Sequence, residues 1–372
     1  MLAVPKSRLD SLTGMRFVAA LLVFLTHVSN REFFSDQTIN TVMVTVFSKA
    51  SVLGVSFFFV LSGFVLTWSV RSTDTTGRFW RRRLVKIFPN HVVTWLLGII
   101  LFLVAGKAVT VAATVPSLFL LHAWVPVPQV IASINGPSWT LSCELVFYMA
   151  FPLLHRLLDK IPARRLWLTA GLAVLAVIVM PAIAGLLPQY PKSPWGGGSA
   201  WGTWVLYAAP PVRMIEFLIG MVMARIVLSG QWIRLRLSNA ALLVLGGYAL
   251  MLVLPGLWGW GASTVVPLAL FIPAAAMADV NSTHTPTRGR IMVRLGEWSF
   301  AFYMIHYLVL LAVVAMLPSG RQYPVPVALA LIVGVLAASI GAARLLHRGV
   351  ELPLMRRWSV PGRPVPAGVN QK

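Results

Sequence analysis

The chain predicts an all-α, polytopic membrane protein, on three observations. Apolar runs of spanning length recur along its 372 residues, charged residues are scarce, and the basic ones concentrate in alternate loops. Hydrophobic residues make up 58% of the sequence and charged ones 11%, far below the quarter usual in a soluble domain. Apolar segments fall at 12–28, 50–70, 88–105, 139–158, 165–187, 204–228, 239–255, 262–280, 297–317 and 324–346. Each approaches the ~20 residues that a bilayer requires of a helix, so about ten transmembrane helices are expected.

A net charge of +21 would suit a nucleic-acid partner if the basic residues shared one face. They do not. One side of the membrane collects Lys6, Arg8 and Arg16, then Arg71 to Lys86, Arg156 to Arg165, Arg225 to Arg236, Arg288 to Arg294, and Arg344 to Lys372. The other side holds Arg31, Lys49, Lys107, Lys192 and Arg321. This positive-inside bias makes the lipid bilayer the partner, excludes nucleic acid, and predicts that both termini are cytoplasmic. Segment 109–124 is apolar but contains Pro116 and His122. As a full span it would turn every later basic cluster outward, so it is expected to be re-entrant or interfacial on the outer side.

The first apolar run has no small-residue cleavage site and carries Arg16 and His27, so it is expected to stay as a signal anchor. Residues 1–360 are expected to form one integral-membrane domain and residues 361–372 a disordered cytoplasmic tail. The Gly-rich outer loop 188–202 is expected to be flexible. The single Cys143 rules out an intrachain disulfide and fits a buried structural thiol.

The first segment is apolar apart from Thr13, Arg16, Thr26 and His27. Eleven residues of helix advance roughly 1100°, about three turns, and place His27 over Arg16 some ~16 Å along the axis. Ionisable groups at bilayer depth cost several kcal/mol unless they face protein or water, so two on one stripe mark a pathway or an active site. The alternative is a structural pair packed against a neighbouring helix.

In RFWRRRLVKIFPNH, Arg83 and Lys86 are three apart and share a helix face, an arrangement suited to a multiply phosphorylated ligand or to headgroup anchoring. In NGPSWTLSCELVFYMAFPLL, Trp139 fits the interfacial aromatic belt, and Glu144 and Tyr148 stack one turn apart. Glu144 then lies ~8 Å below the outer end, near the expected depth of His27. A carboxylate beside an imidazole fixes its tautomer and stabilises the imidazolium, which is what a general base acting on an alcohol requires. Arg213 and Glu216, three apart, read as a structural or site ion pair. Ser142, Tyr148 and His306 are candidate oxyanion or acceptor contacts. No spacing of His and carboxylate fits a zinc site. A proton-coupled transporter would also place Arg, Glu and His in the membrane, but transporters show paired halves and this chain has no internal repeat.

Taken in order, SLTGMRFVAALLVFLTHV, FFFVLSGFVLTWS, FWRRRLVKIFP, GPSWTLSCELVFYMAFPLL, RMIEFLIGM and LGEWSFAFYMIHY resemble the acyltransferase 3 family of membrane O-acyltransferases. The resemblance runs roughly from Arg8 to Pro353, and the opening RLDSLTGMRF is most similar to the macrolide O-acyltransferase branch. It implies a multi-pass protein of a bacterial cytoplasmic membrane, with acyl-coenzyme A as donor substrate and no bound cofactor. A short acyl group, acetyl or similar, would pass to a hydroxyl of a sugar-containing or macrolide-type acceptor, or of a polysaccharide or lipid-linked glycan. The family's Arg-x10-His element matches Arg16 and His27, and its Trp-x4-Glu element matches Trp139 and Glu144. Its basic pair matches Arg83 and Lys86, with lysine where arginine is common, and His91 replaces the usual tyrosine after the proline. The expected mechanism has His27 as general base oriented by Glu144, and Arg16, Arg83 and Lys86 on the donor phosphates. Transient acylation of His27 is the alternative.

Overall fold

The computed structural model describes residues 8–70, 74–318 and 320–358, so Lys6, Arg71 and the tail 361–372 lie outside the described residues. Among those described there are helices and no named strand. The α-helices are α1 (Asp10–Ser29), α2 (Gln37–Phe47), α3 (Ala50–Trp68), α4 (Thr76–Val104), α5 (Val111–Leu118), α6 (Pro128–Ile131), α7 (Trp139–Asp159) and α8 (Leu166–Gly185). They continue as α9 (Ala200–Tyr207), α10 (Pro210–Leu228), α11 (Leu237–Val253), α12 (Val265–Val280), α13 (Arg290–Met316), α14 (Val325–Leu346) and α15 (Leu352–Trp358).

Among the described residues, seven helical segments are long and apolar enough to cross a membrane, which makes this a multi-pass membrane protein. Each of the ten apolar runs coincides with helix, but three of them fall outside the seven. Helices α11 and α12 are shorter, and α10 carries Arg213, Glu216 and Arg225. The run at 204–228 is also interrupted: Pro210 and Pro211 restart the helix, leaving α9 as a separate piece. Helix α4 begins well before residue 88 and runs through Pro89, with the Thr75 hydroxyl accepting from the Arg78 amide at its start.

Successive long helices alternate in direction. Helices α1 and α13 run side by side the same way, pairing Phe17 and Phe24 with Phe302 and His27 with Tyr307. Helix α3 runs opposite to α1, with the Ser51 amide on the Thr26 hydroxyl and Gly54 against Ala19. Helix α10 lies parallel to α3 and packs closely against it. A Cβ on Gly63 would overlap the Phe217 carbonyl oxygen, and one on Gly220 would overlap that of Val60. Small residues at such crossings let backbones meet where lipid gives no hydrophobic push between helices.

The start of α1 is capped from another helix. Leu9 supplies no side-chain cap, and the buried Asp279 of α12 takes its place, accepting from the Ser11 amide at 2.9 and 3.1 Å and from its hydroxyl at 2.6 Å. That hydroxyl also shares a proton with Thr285 at 2.7 Å. A carboxylate on unpaired amides at a helix N-terminus is favoured by hydrogen bonding and by the helix dipole. Asp279→Ala is therefore expected to destabilise the protein by about 1–3 kcal/mol, the cost of stranding buried donors, read as a lowered melting temperature in detergent.

Segment 109–124 is not one helix. Helix α5 has eight residues, the chain turns at Leu120 with φ 57°, and a short 3-10 turn follows at His122–Trp124. These pieces are sewn to the bundle by polar contacts: His91 Nε2 lies 3.0 Å from the Ser117 carbonyl, and the Trp95 indole donates to the Ser117 hydroxyl. Farther along, Asn135 donates to the Met304 carbonyl and Trp204 to that of Ala123.

Candidate active site

That covering segment decides where α7 begins. The Tyr303 hydroxyl donates to the Pro137 carbonyl, and Gly136 abuts the Tyr307 ring, so α7 starts level with the middle of α13. Tyr307 is nine residues short of the end of α13 at Met316, or ~13 Å. Trp139 is consequently 5% exposed, a buried residue and not part of an interfacial belt. Five residues further, Glu144 lies about one and a half turns deeper still.

Glu144 therefore arrives at the level of Arg16, not of His27. Together with Arg83, Lys86 and Tyr148, both line a cavity of about 100 Å³ between α1, α3, α4 and α7. The Tyr148 hydroxyl donates to Glu144 at 3.1 Å, and the Arg83 guanidinium lies over the Tyr148 and Phe79 rings at 5.8 and 5.4 Å. Lys86 is within Coulombic range of Arg16, Arg83, Glu144 and Glu351. Three cations against the one carboxylate in this wall leave it net positive, a setting that attracts anions. A wider cavity of about 260 Å³ shares Arg83 and Leu66 with this wall and adds Arg82 and Arg156 toward the basic end of the bundle. On the other side, a pocket of about 40 Å³ shares Arg16, Glu144, Phe58 and Phe300 and is bounded by Phe59, Thr140 and Tyr303.

His27 lines a different cavity. It has about 680 Å³, lies at the end of the bundle opposite the arginines, and is walled by Trp139, Trp195, Tyr207, Trp260 and Tyr307, with Arg31 and Lys49 among its cations. The His27 ring is 4.7 Å from the Tyr307 ring and 5.4 Å from that of His306, centroid to centroid. His306 is fully buried, its Nδ1 lies 3.1 Å from the Phe302 carbonyl, and its Nε2 has no partner among the described residues. The nitrogen facing a carbonyl must carry the proton, which leaves the other ring nitrogen as an acceptor. The structure thus brings His306 to His27 and does not bring Glu144 there. Arg16 and His27 still share the stripe of α1, one at the wall of each cavity.

The remaining candidates divide clearly. Ser142 is buried, with its hydroxyl 3.4 Å from His122 Nδ1, while His122 Nε2 lies 3.1 Å from the Ser138 hydroxyl. That network ties α7 to the covering segment and turns Ser142 away from the cavities. Arg213 and Glu216 form a buried ion pair at 3.0 Å, closed by Ser56 at 2.9 Å from Glu216 and 3.1 Å from Arg213. The guanidinium also lies 5.0 Å from the Phe59 ring centroid and donates to the Leu206 carbonyl, so it clamps the broken α9–α10 joint to α3. Glu351 was not singled out by sequence. It accepts from Asn90 at 3.0 Å, pairs with His347 at 3.1 Å and closes a π-helical turn at His347–Glu351. Its only sequence signal is the one-turn spacing of His347 and Glu351.

Comparison with known proteins places this geometry in a family. A family model described as an acyltransferase domain, acyltransferase 3, matches residues 9–344. "Acyltransferase MdmB" of Streptomyces mycarofaciens is 42% identical over 358 residues, covering 94% of this chain and 92% of that protein. "Exopolysaccharide production protein ExoZ" of Rhizobium meliloti is 28% identical over 317 residues, 82% of this chain and 89% of that protein. "O-acetyltransferase OatA" of Staphylococcus aureus is 22% identical over 385 residues, 94% of this chain and 57% of that protein. No solved structure matches the chain. With the family model covering almost every helix, and a relative this similar along nearly all of its own length, the chain belongs to the acyltransferase 3 family and is an acyltransferase.

Proposed function

We propose that this protein moves a short acyl group, acetyl or similar, from acyl-coenzyme A to a hydroxyl of a sugar-containing acceptor of macrolide type, with His27 as general base. The name of ExoZ, an exopolysaccharide production protein, keeps a polysaccharide or lipid-linked glycan as the alternative acceptor. The observation that carries the reading is α1 itself, which sets a cation in a basic cavity and an imidazole in an aromatic one, ~16 Å apart on one stripe. A donor whose phosphates rest on Arg16, Arg83 and Lys86 would extend its thioester arm along that stripe toward His27. The proposed setting is a bacterial cytoplasmic membrane, with ten crossings and both ends of the chain on the cytoplasmic side. The alternating helix directions and the basic loops gathered at one end support it.

In the proposed step the imidazole of His27 takes the acceptor hydroxyl proton as that oxygen attacks the thioester carbonyl carbon. The tetrahedral intermediate collapses with cleavage of the C–S bond, and the imidazolium returns its proton to the leaving thiolate. His306 beside it takes the orienting part expected of Glu144, while Glu144 balances the cationic wall and holds Tyr148. The test is transfer of label from acetyl-coenzyme A to hydroxylated acceptors in membranes carrying the protein. Lys86→Met is expected to raise KM for the donor roughly 10- to 100-fold, the worth of one charge-assisted hydrogen bond, with a smaller change in kcat. An unchanged donor KM would remove Lys86 from the donor site.

A further inference from the structure

A cavity of about 1070 Å³ lies at the basic end between α10, α11 and α12, and the proposed chemistry does not use it. Its apolar floor includes Val227, Ala241, Phe271 and Met277, Asn281, Thr283 and Thr287 add a polar wall, and Arg234 and Arg236 also line it. Both arginines are exposed, and neither has a carboxylate partner among the described residues. The helices above it are short. At 17 and 16 residues, α11 and α12 span about 25 and 24 Å, against the ~30 Å of a hydrocarbon core. The bilayer must therefore thin here, or polar groups must sink inward, at this face. Next to the rim, Trp232 stacks on Trp167 at 6.3 Å, and Trp167 is 37% exposed. Such rings settle at headgroup level. Helix α11 turns Leu242 and Leu245, each 65% exposed, outward beside Ala241, so the recess adjoins the lipid-facing side.

The geometry points to a binding site for an anionic phospholipid, its phosphate on Arg234 and Arg236 and its acyl chains over the apolar floor below. The two guanidiniums supply the charge that a zwitterionic headgroup would leave uncompensated, and the short helices supply the depth to which the phosphate must sink. This assignment is independent of the acyl-transfer reading.

The experiment takes the full chain in detergent, exchanges it into nanodiscs of phosphatidylglycerol with phosphatidylethanolamine, and measures retained lipid by native mass spectrometry. Phosphatidylglycerol is expected to be retained in preference. The double variant R234Q/R236Q should hold it about thirtyfold less tightly, from roughly fivefold per basic side chain at a membrane surface. R234K/R236K should keep most of the binding, and Ala241→Phe, which fills the floor, should lose it with the charges intact. Equal retention of the zwitterionic lipid, or undiminished binding in Ala241→Phe, would overturn the site. Displacement of the lipid by inorganic phosphate alone or by acetyl-coenzyme A would also overturn it, by showing that the cations serve a free anion.

Discussion

His27→Ala is expected to lower turnover by ~10² to 10⁴, the usual contribution of a positioned general base, while the protein still inserts and melts normally. The ring is half-buried against Tyr307 and His306 at the wall of a cavity, so its removal enlarges a space that already exists and leaves the helix contacts of α1 in place. The loss should appear in kcat measured at saturating donor and acceptor, because a proton-transfer group acts in the transition state. His306→Ala should cost less. It removes the neighbour that holds the ring but not the base, and its buried hydrogen bond to Phe302 stays within one helix. Near-normal turnover by correctly folded His27→Ala would end the assignment.

The largest effect on stability is expected from Gly220→Leu. Helices α3 and α10 meet through Gly63 and Gly220, each leaving the space that a backbone carbonyl of the other helix occupies, so any side chain there must push a carbonyl oxygen aside. Overpacking of a well-filled interior commonly costs 1–3 kcal/mol, and here the obstacle is backbone and cannot rotate away, so about 3 kcal/mol or more is expected. The same crossing joins the Arg213–Glu216 pair of α10 to Ser56 of α3, and the buried pair would lose that hydroxyl if the helices separated. Little monodisperse protein should survive extraction, as read by size-exclusion chromatography. A variant that elutes and melts like the parent would show that the crossing yields without cost.

Much of this was legible in the sequence because it depends on period alone. The apolar runs, the shared stripe of Arg16 and His27, the common face of Arg83 and Lys86, and the neutralisation of Arg213 by Glu216 all follow from 3.6 residues per turn. What was not legible depends on how deep each helix sits. Counting five residues from Trp139 gave the position of Glu144 within α7 correctly, but not that α7 starts beneath a layer of broken helix, which drops the carboxylate away from His27. Asp279 was invisible for a related reason: it caps a helix that precedes it by more than 250 residues, and no local pattern records a cap supplied from elsewhere. Segment 109–124 could be excluded as a crossing by charge counting. Its polar stitches through His91 and His122 depend on contacts that only folding makes.

The aromatic belt of Phe59, Tyr303 and Trp139 between the two chambers has an electrical consequence. An enzyme hollowed from both faces of an energised membrane is a short circuit unless something insulating remains in the middle, since every 100 mV drives a proton inward with about 2.3 kcal/mol. Close-packed rings with one hydroxyl tied to the Pro137 carbonyl are such a dielectric, and the thioester arm of the proposed donor would pass beside them. In the proposed reaction an acyl group would cross the bundle without letting an ion gradient drain behind it.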